Sequence, residues 1–107
     1  MMKNEVIEEL WKEHESAAFP ASCRGVDVRG IDLVVLDADV AGCVDTFVSG
    51  HKLNLFQTAM LGLCYRDLAD VLPALDGEAK SYYERLDRLA ALVLRAVAQH
   101  ESKGSRS

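Results

Sequence analysis

Two side chains that could do acid–base or metal chemistry, Asp37 and His14, occupy positions whose helical neighbours are apolar. In a helix over residues 31–48, Asp37 lies about 40° from Leu33 and about 20° from Val44, so it leans into the apolar side. Burying a charged carboxylate costs on the order of several kcal/mol unless it is ion-paired or hydrogen-bonded. Perturbed groups of this kind cluster at functional sites, which makes Asp37 and His14 candidates for a general base or a metal ligand.

A structural role for Asp37 is the alternative. The carboxylate could anchor the extended segment before it, with His14, Arg24, Arg29 or backbone N–H groups as partners. His14 has a similar alternative, because a partly buried histidine at the edge of a core is often hydrogen-bonded without taking part in chemistry. Both interpretations stay open from the sequence.

The helix over residues 31–48 is predicted from the spacing of its apolar residues. They recur every three or four positions, which is typical of a helix with one core-facing side. The members are Leu33, Leu36, Val40, Cys43, Val44 and Phe47. Asp32 near the start suits the positive end of the helix dipole.

The same segment can be interpreted as a strand, because residues 31–36 are rich in β-branched side chains and are followed by Asp37-Ala38-Asp39. An apolar strand ending in Asp-x-Asp resembles the nucleophile motif of haloacid-dehalogenase-type phosphotransferases. The stretch DLVVLDADVAG also resembles the phosphoacceptor strand of response-regulator receiver domains. These resemblances imply an α/β fold in which Asp37 would accept a phosphoryl group.

Three further helices are predicted: residues 5–18, residues 55–72, and a last helix that follows the turn and N-cap at Asp76-Gly77 and runs to about residue 100. The first brings His14 onto a broad apolar face. Phe19-Pro20 ends that helix, and residues 21–30 are expected to be extended, with one short strand that could lie across the helices or pair with a second copy. Tyr82 and Tyr83, on the last helix, are expected at the core edge with exposed hydroxyls. We therefore predict an all-α, four-helix, bundle-like single domain over residues 1–100, with a disordered tail at 101–107.

The helix over residues 55–72 is apolar on two sides. One side carries Leu61, Leu68 and other leucines, and the second, roughly 120–150° away, carries Phe56, Met60 and Leu63. A helix that is apolar on two sides needs two partners. The second partner could be another helix of the same chain or a second copy of the chain. The homodimer hypothesis predicts an interface at Phe56, Met60 and Leu63.

Composition limits the function classes. The net charge is −5, and five acids lie between Asp27 and Asp45 against one base, Arg29. Such a surface repels phosphate backbones, so nucleic-acid binding is not expected and a basic protein partner is. Three cysteines without a C-x-x-C pair are typical of a reducing cytoplasm and give no metal site. We expect no cofactor, no signal peptide and no membrane span.

The leading hypothesis from the sequence is a small acidic interaction or regulatory module, homodimeric and cytoplasmic, rather than an enzyme. An immunity- or inhibitor-like protein that meets a basic partner belongs to this class. The alternatives are an enzyme or small-ligand binder with a site around Asp37 and His14, and a phosphoacceptor domain that uses Asp37.

Overall fold

The computed structural model describes the backbone of residues 2–106 and the side chains of residues 5–99. Its four helices are α1 (Met2–Ser16), α2 (Leu33–Val48), α3 (Leu55–Val71) and α4 (Gly77–Arg106). A two-stranded hairpin, β1 (Asp27–Val28) and β2 (Ile31–Asp32), leads into α2. The predicted all-α, bundle-like fold is confirmed.

Helix α4 contacts each of the other three helices, and the core lies along this central contact. Apart from Cys23, which lies in the 3₁₀ turn Ala21–Cys23, the largest fully buried side chains come from α2, α3 and α4, whose apolar residues recur at helical spacing. They include Leu33, Val40, Val44, Leu61, Leu68, Tyr83, Leu86, Leu89 and Val93. Within the residues that the structure describes, none of the helices has the length and apolar composition that a membrane-spanning helix needs.

The helix over residues 31–48 is confirmed, except that its first two residues belong to the hairpin. Asp32 is the N-cap of α2, and its Oδ1 accepts hydrogen bonds from the backbone N–H groups of Val34 and Val35 at 2.9 and 3.1 Å. A cap of this kind satisfies N–H groups that have no partner inside the helix. The strand interpretation of residues 31–36 is therefore wrong. Asp37 lies in the second turn of a helix, and the phosphoacceptor hypothesis loses the strand on which it depended.

The extended segment folds back on its own chain. Val28 pairs with Ile31, and the two residues between them, Arg29 and Gly30, both have positive φ, at 54° and 82°. Two positive φ angles in a two-residue loop are the pattern of a type I′ hairpin turn. One edge of this strand is therefore paired within its own chain by β2, and pairing of its other edge with a second copy stays a prediction.

Helix α3 starts at a reciprocal cap. The Asn54 side chain accepts from the Gln57 N–H at 2.7 Å, and the Gln57 side chain accepts from the Asn54 N–H at 3.0 Å. A short 3₁₀ turn containing Pro73 ends α3. Helix α1 starts earlier and ends earlier than residues 5–18, and α4 extends beyond residue 100 to Arg106. Side chains of the predicted tail, 101–107, lie outside the described residues, and the domain limits remain predictions.

Candidate functional site

The two candidate chemical residues meet at the contact between α1 and α2. His14 faces inward one turn after Trp11 and two turns after Ile7, and its Nε2 lies 3.2 Å from Asp37 Oδ1. The His14 side chain is 4% exposed and that of Asp37 is 20% exposed. Of the side chains expected to satisfy Asp37, His14 is one that does so. Arg24 is placed elsewhere, with its guanidinium 5.6 Å from the ring centre of Phe19.

Helix α4 adds two side chains to this pair. The Tyr82 hydroxyl donates to Asp37 Oδ2 at 3.1 Å, and Arg85 Nε donates to His14 Nδ1 at 3.1 Å. Together, His14, Asp37, Tyr82 and Arg85 form a chain of hydrogen bonds that joins α1, α2 and α4. We call these four residues the polar cluster.

The direction of each hydrogen bond fixes the form of the imidazole. A guanidinium can only donate, so His14 Nδ1 accepts and carries no hydrogen. The ring hydrogen is then on Nε2, which donates to Asp37 Oδ1. Both ring nitrogens and both carboxylate oxygens therefore have partners inside the protein.

Aromatic contacts hold the polar cluster in a fixed arrangement. The His14 ring stacks near Trp11, with centres 5.9 Å apart, and lies 4.5 Å from the Tyr82 ring. The Arg85 guanidinium lies over Tyr82 at 5.4 Å from the ring centre, within range of a cation–π contact. Burial, and then the negative charge of Asp37, raise the pKa of Tyr82. Tyr82 therefore stays protonated and remains a donor to Asp37.

Tyr83 makes a separate link between α4 and α2. Its buried hydroxyl donates to the carbonyl oxygen of Leu33, the first residue of α2, at 2.6 Å. Burial is the main reason that the pKa of Tyr83 is raised. The expectation that Tyr82 and Tyr83 expose their hydroxyls is wrong, because both side chains are buried and both hydroxyls donate to α2.

Sequence reasoning found two members of the polar cluster and missed two. Tyr82 was placed on the apolar side of α4, and a buried tyrosine hydroxyl needs an acceptor. A buried Asp37 carboxylate needs a donor in the same way, so the two requirements together could have predicted that Tyr82 and Asp37 are partners. Nothing in the sequence indicates that Arg85 belongs to the cluster, because it lies at the edge of the solvent-exposed side of α4.

The polar cluster is arranged to hold helices together more readily than to transfer protons. A general base needs a free nitrogen or oxygen directed at a substrate. For His14 to provide one, Arg85 would have to leave Nδ1 or Asp37 would have to leave Nε2. Clefts of about 240 to 370 Å³ occur elsewhere on the surface, and their walls do not include these side chains. Among the described residues, no group of three or more side chains of ligating type could hold a metal ion.

Comparison with known proteins assigns no role to these residues. No protein-family model, curated protein or solved structure matches this chain. The roles of His14, Asp37, Tyr82 and Arg85 are therefore inferred from their geometry alone.

The predicted interface lies on α3, away from the polar cluster. Phe56 and Leu63 are exposed, as are their neighbours Leu55 and Ala59. Met60 is half-buried and packs against the core. We call Leu55, Phe56, Ala59 and Leu63 the α3 face.

The three cysteines are buried and unpaired, and a free buried cysteine packs as a small apolar side chain. Cys43 Sγ donates to the carbonyl oxygen of Gln57 at 3.7 Å. Burial, followed by the charge of Asp39, raises the pKa of Cys64 to about 11. A thiol with this pKa is protonated at neutral pH, so Cys64 is a poor nucleophile and a poor metal ligand.

Proposed function

We propose that this protein is an interaction module that associates through the α3 face, with a second copy of itself as the partner. The observation that carries the proposal is the exposure of three large apolar side chains on one side of α3. Leu55 is 84% exposed, Phe56 is 75% exposed and Leu63 is 57% exposed. Adjacent apolar residues exposed to this extent are typical of interaction sites.

The charge distribution on α3 favours a second copy over a charged partner. Arg66 and Asp70 continue the same side of the helix towards its C-terminal end, and their opposite charges balance. A neutral apolar face can be self-complementary across a two-fold axis, which is the commonest symmetry of protein dimers. Gly62 lies next to this face, and a Cβ added there would contact nothing within 4 Å among the described residues. A close approach by a second helix is therefore sterically open.

A cytoplasmic setting is part of this proposal. It is supported by three unpaired cysteines, which are typical of proteins kept in a reducing compartment. We do not extend the proposal to catalysis at Asp37 and His14, since both ring nitrogens of His14 are already engaged.

Sedimentation equilibrium from micromolar to millimolar protein tests the dimer. The mass should rise from the 11.8 kDa of one chain towards twice that value. Leu63→Glu should keep the protein monomeric, because it places a charge in the apolar contact. Val6→Glu, at an exposed apolar position on α1, is the matched control and should dimerise like the wild type. A wild-type monomer at millimolar concentration would refute the proposal.

A further inference from the structure

A second uncovered surface lies on α2. Val34, Val35, Ala38 and Gly42 recur at helical spacing on the side of α2 that is turned away from the core, and all four are exposed. Val34 is 43% exposed and Val35 is 52% exposed. We call these four residues the α2 face.

Gly42 gives this surface an unusual property. Glycine inside a helix costs stability relative to alanine, so a mid-helix glycine needs a compensating reason. A Cβ added at Gly42 would meet nothing within 4 Å among the described residues, so the chain itself gives no steric reason. The absence of a side chain does leave open space at this one position of α2, where the backbone of another segment could approach closely.

The charge around the α2 face is negative. Helix α2 contains Asp37, Asp39 and Asp45 and has no lysine or arginine. Asp37 is engaged in the polar cluster, whereas Asp45 is exposed and Asp39 is partly exposed. The net charge near the α2 face is therefore negative, whereas beside the α3 face the opposite charges of Arg66 and Asp70 cancel. A second copy would bring like charges together here, so a different partner is favoured.

A cleft beside the α2 face indicates how such a partner would be held. Its volume is about 240 Å³, below the roughly 300–1,000 Å³ of sites for drug-sized ligands, so it suits one long side chain. Ile31, Val35 and Leu36 supply apolar walls, and Asp32, Asp39 and Asp67 supply three carboxylates. Arginine and lysine combine an apolar stem with a cationic head and match both parts of this lining.

We propose that the α2 face binds a basic amphipathic helix of another protein, which inserts an arginine or lysine into this cleft. The apolar side of that helix lies on Val34 and Val35, and its backbone passes close to Gly42. The carboxylates of Asp39 and Asp67 receive the cationic head. Binding is electrostatically steered and weakens as salt is added.

The test uses a synthetic helical peptide of about five turns, with leucine and alanine on one side and arginine on both flanks. A matched peptide carries glutamate in place of each arginine. Binding is measured at low salt by fluorescence anisotropy, and the contact surface is mapped by ¹H–¹⁵N chemical-shift changes. The Leu63→Glu protein is used throughout, so that the result does not depend on the proposed dimer.

The basic peptide should bind and shift the amides of Val34, Val35 and Asp39, while the acidic peptide should not bind. Asp39→Asn with Asp67→Asn should weaken binding about tenfold, and Gly42→Leu should weaken it to a similar extent. Glu13→Gln with Glu84→Gln makes the same change in net charge at exposed sites elsewhere and should alter binding by less than about twofold. Each variant is checked for a cooperative thermal transition.

Any of the following outcomes would overturn the proposal. They are no saturable binding of the basic peptide at millimolar concentration, equal binding of the acidic peptide, and shift changes that map away from α2. An equal loss of affinity in the Glu13→Gln, Glu84→Gln variant would also overturn it. That result would mean that binding depends on the net charge of the protein and not on a defined surface.

Discussion

Arg85 and His14 are joined by a 3.1 Å hydrogen bond in which the guanidinium Nε donates and the imidazole Nδ1 accepts. An arginine side chain has no acceptor, so this contact selects one tautomer of the histidine. His14 then presents its only ring hydrogen to Asp37. Arg85 thus fixes, through the tautomer of His14, which ring nitrogen donates to Asp37.

The tautomer of His14 can be measured directly. Long-range ¹H–¹⁵N NMR at neutral pH should show a hydrogen on Nε2 and a bare Nδ1. Arg85→Gln keeps a side chain of moderate length but removes the fixed guanidinium donor, and it should allow the two tautomers to mix. His51, which is exposed in a loop, provides an internal comparison with mixed tautomers. A hydrogen on Nδ1 of His14 in the wild type would contradict the assigned direction of the bond.

Removing the carboxylate of Asp37 should destabilise the fold. Asp37→Ala leaves the His14 Nε2–H and the Tyr82 hydroxyl without their acceptor. Each unsatisfied buried group costs about 1–3 kcal/mol, so the two together should lower the free energy of unfolding by about 2–6 kcal/mol. Asp39→Ala, two residues along the same helix, should cost less than about 1 kcal/mol. Urea unfolding followed by circular dichroism compares the two variants, and equal losses would show that Asp37 is not an anchor.

Stability should fall at alkaline pH. Burial raises the pKa of Cys64 to about 11, and burial also raises the pKa of Tyr82 and Tyr83. Between pH 9 and the folded-state pKa values, the unfolded chain has lost protons that the folded chain still holds. The unfolded state then binds fewer protons, so the free energy of unfolding decreases as pH rises.

The pH effect has a specific control. Cys64→Ala removes one of the groups whose pKa is raised, so its stability should decline less steeply than that of the wild type as the pH rises above about 9. Urea unfolding at a series of alkaline pH values gives the two slopes. Identical slopes would show that the Cys64 thiol does not contribute.

Two glycines should respond in opposite ways to alanine. Gly42 lies inside α2 with open space around it, so Gly42→Ala should raise the free energy of unfolding by about 0.5–1 kcal/mol. Gly50 follows α2 with a φ of 89°, which an alanine adopts only with strain, so Gly50→Ala should lower it by about 1 kcal/mol. Thermal unfolding measures both. A loss of stability in Gly42→Ala would indicate that α2 tolerates no side chain at this position.

The sequence predicted the helices well because their apolar residues are regularly spaced. Leu33, Val40 and Val44 are all fully buried, as the period of the central segment required. The same geometry placed Asp37 beside the core and Phe56 outside it. Local periodicity carries this information, since it depends only on residues a few positions apart.

The partners of the polar cluster could not be predicted in the same way. Tyr82 and Arg85 lie 45 and 71 positions along the chain from the atoms they contact, and no local pattern encodes such a separation. The hairpin was only half predicted, because Arg29 adopts a positive φ that favours glycine or asparagine rather than arginine. Its turn residues therefore gave a weak signal.

The hairpin ends at the residue that caps α2, and Asp32 serves as both the strand partner of Asp27 and the first acceptor for the helix. The hairpin therefore sets the position at which α2 starts, and with it the side of α2 that faces the core. Inserting one residue between this cap and Asp37 would turn the rest of the helix by about 100° relative to its start. Asp37 would then move to the exposed position that Ala38 now occupies and would no longer face His14. The number of residues between the hairpin and Asp37 thus determines which side of α2 faces the core and which side faces outward.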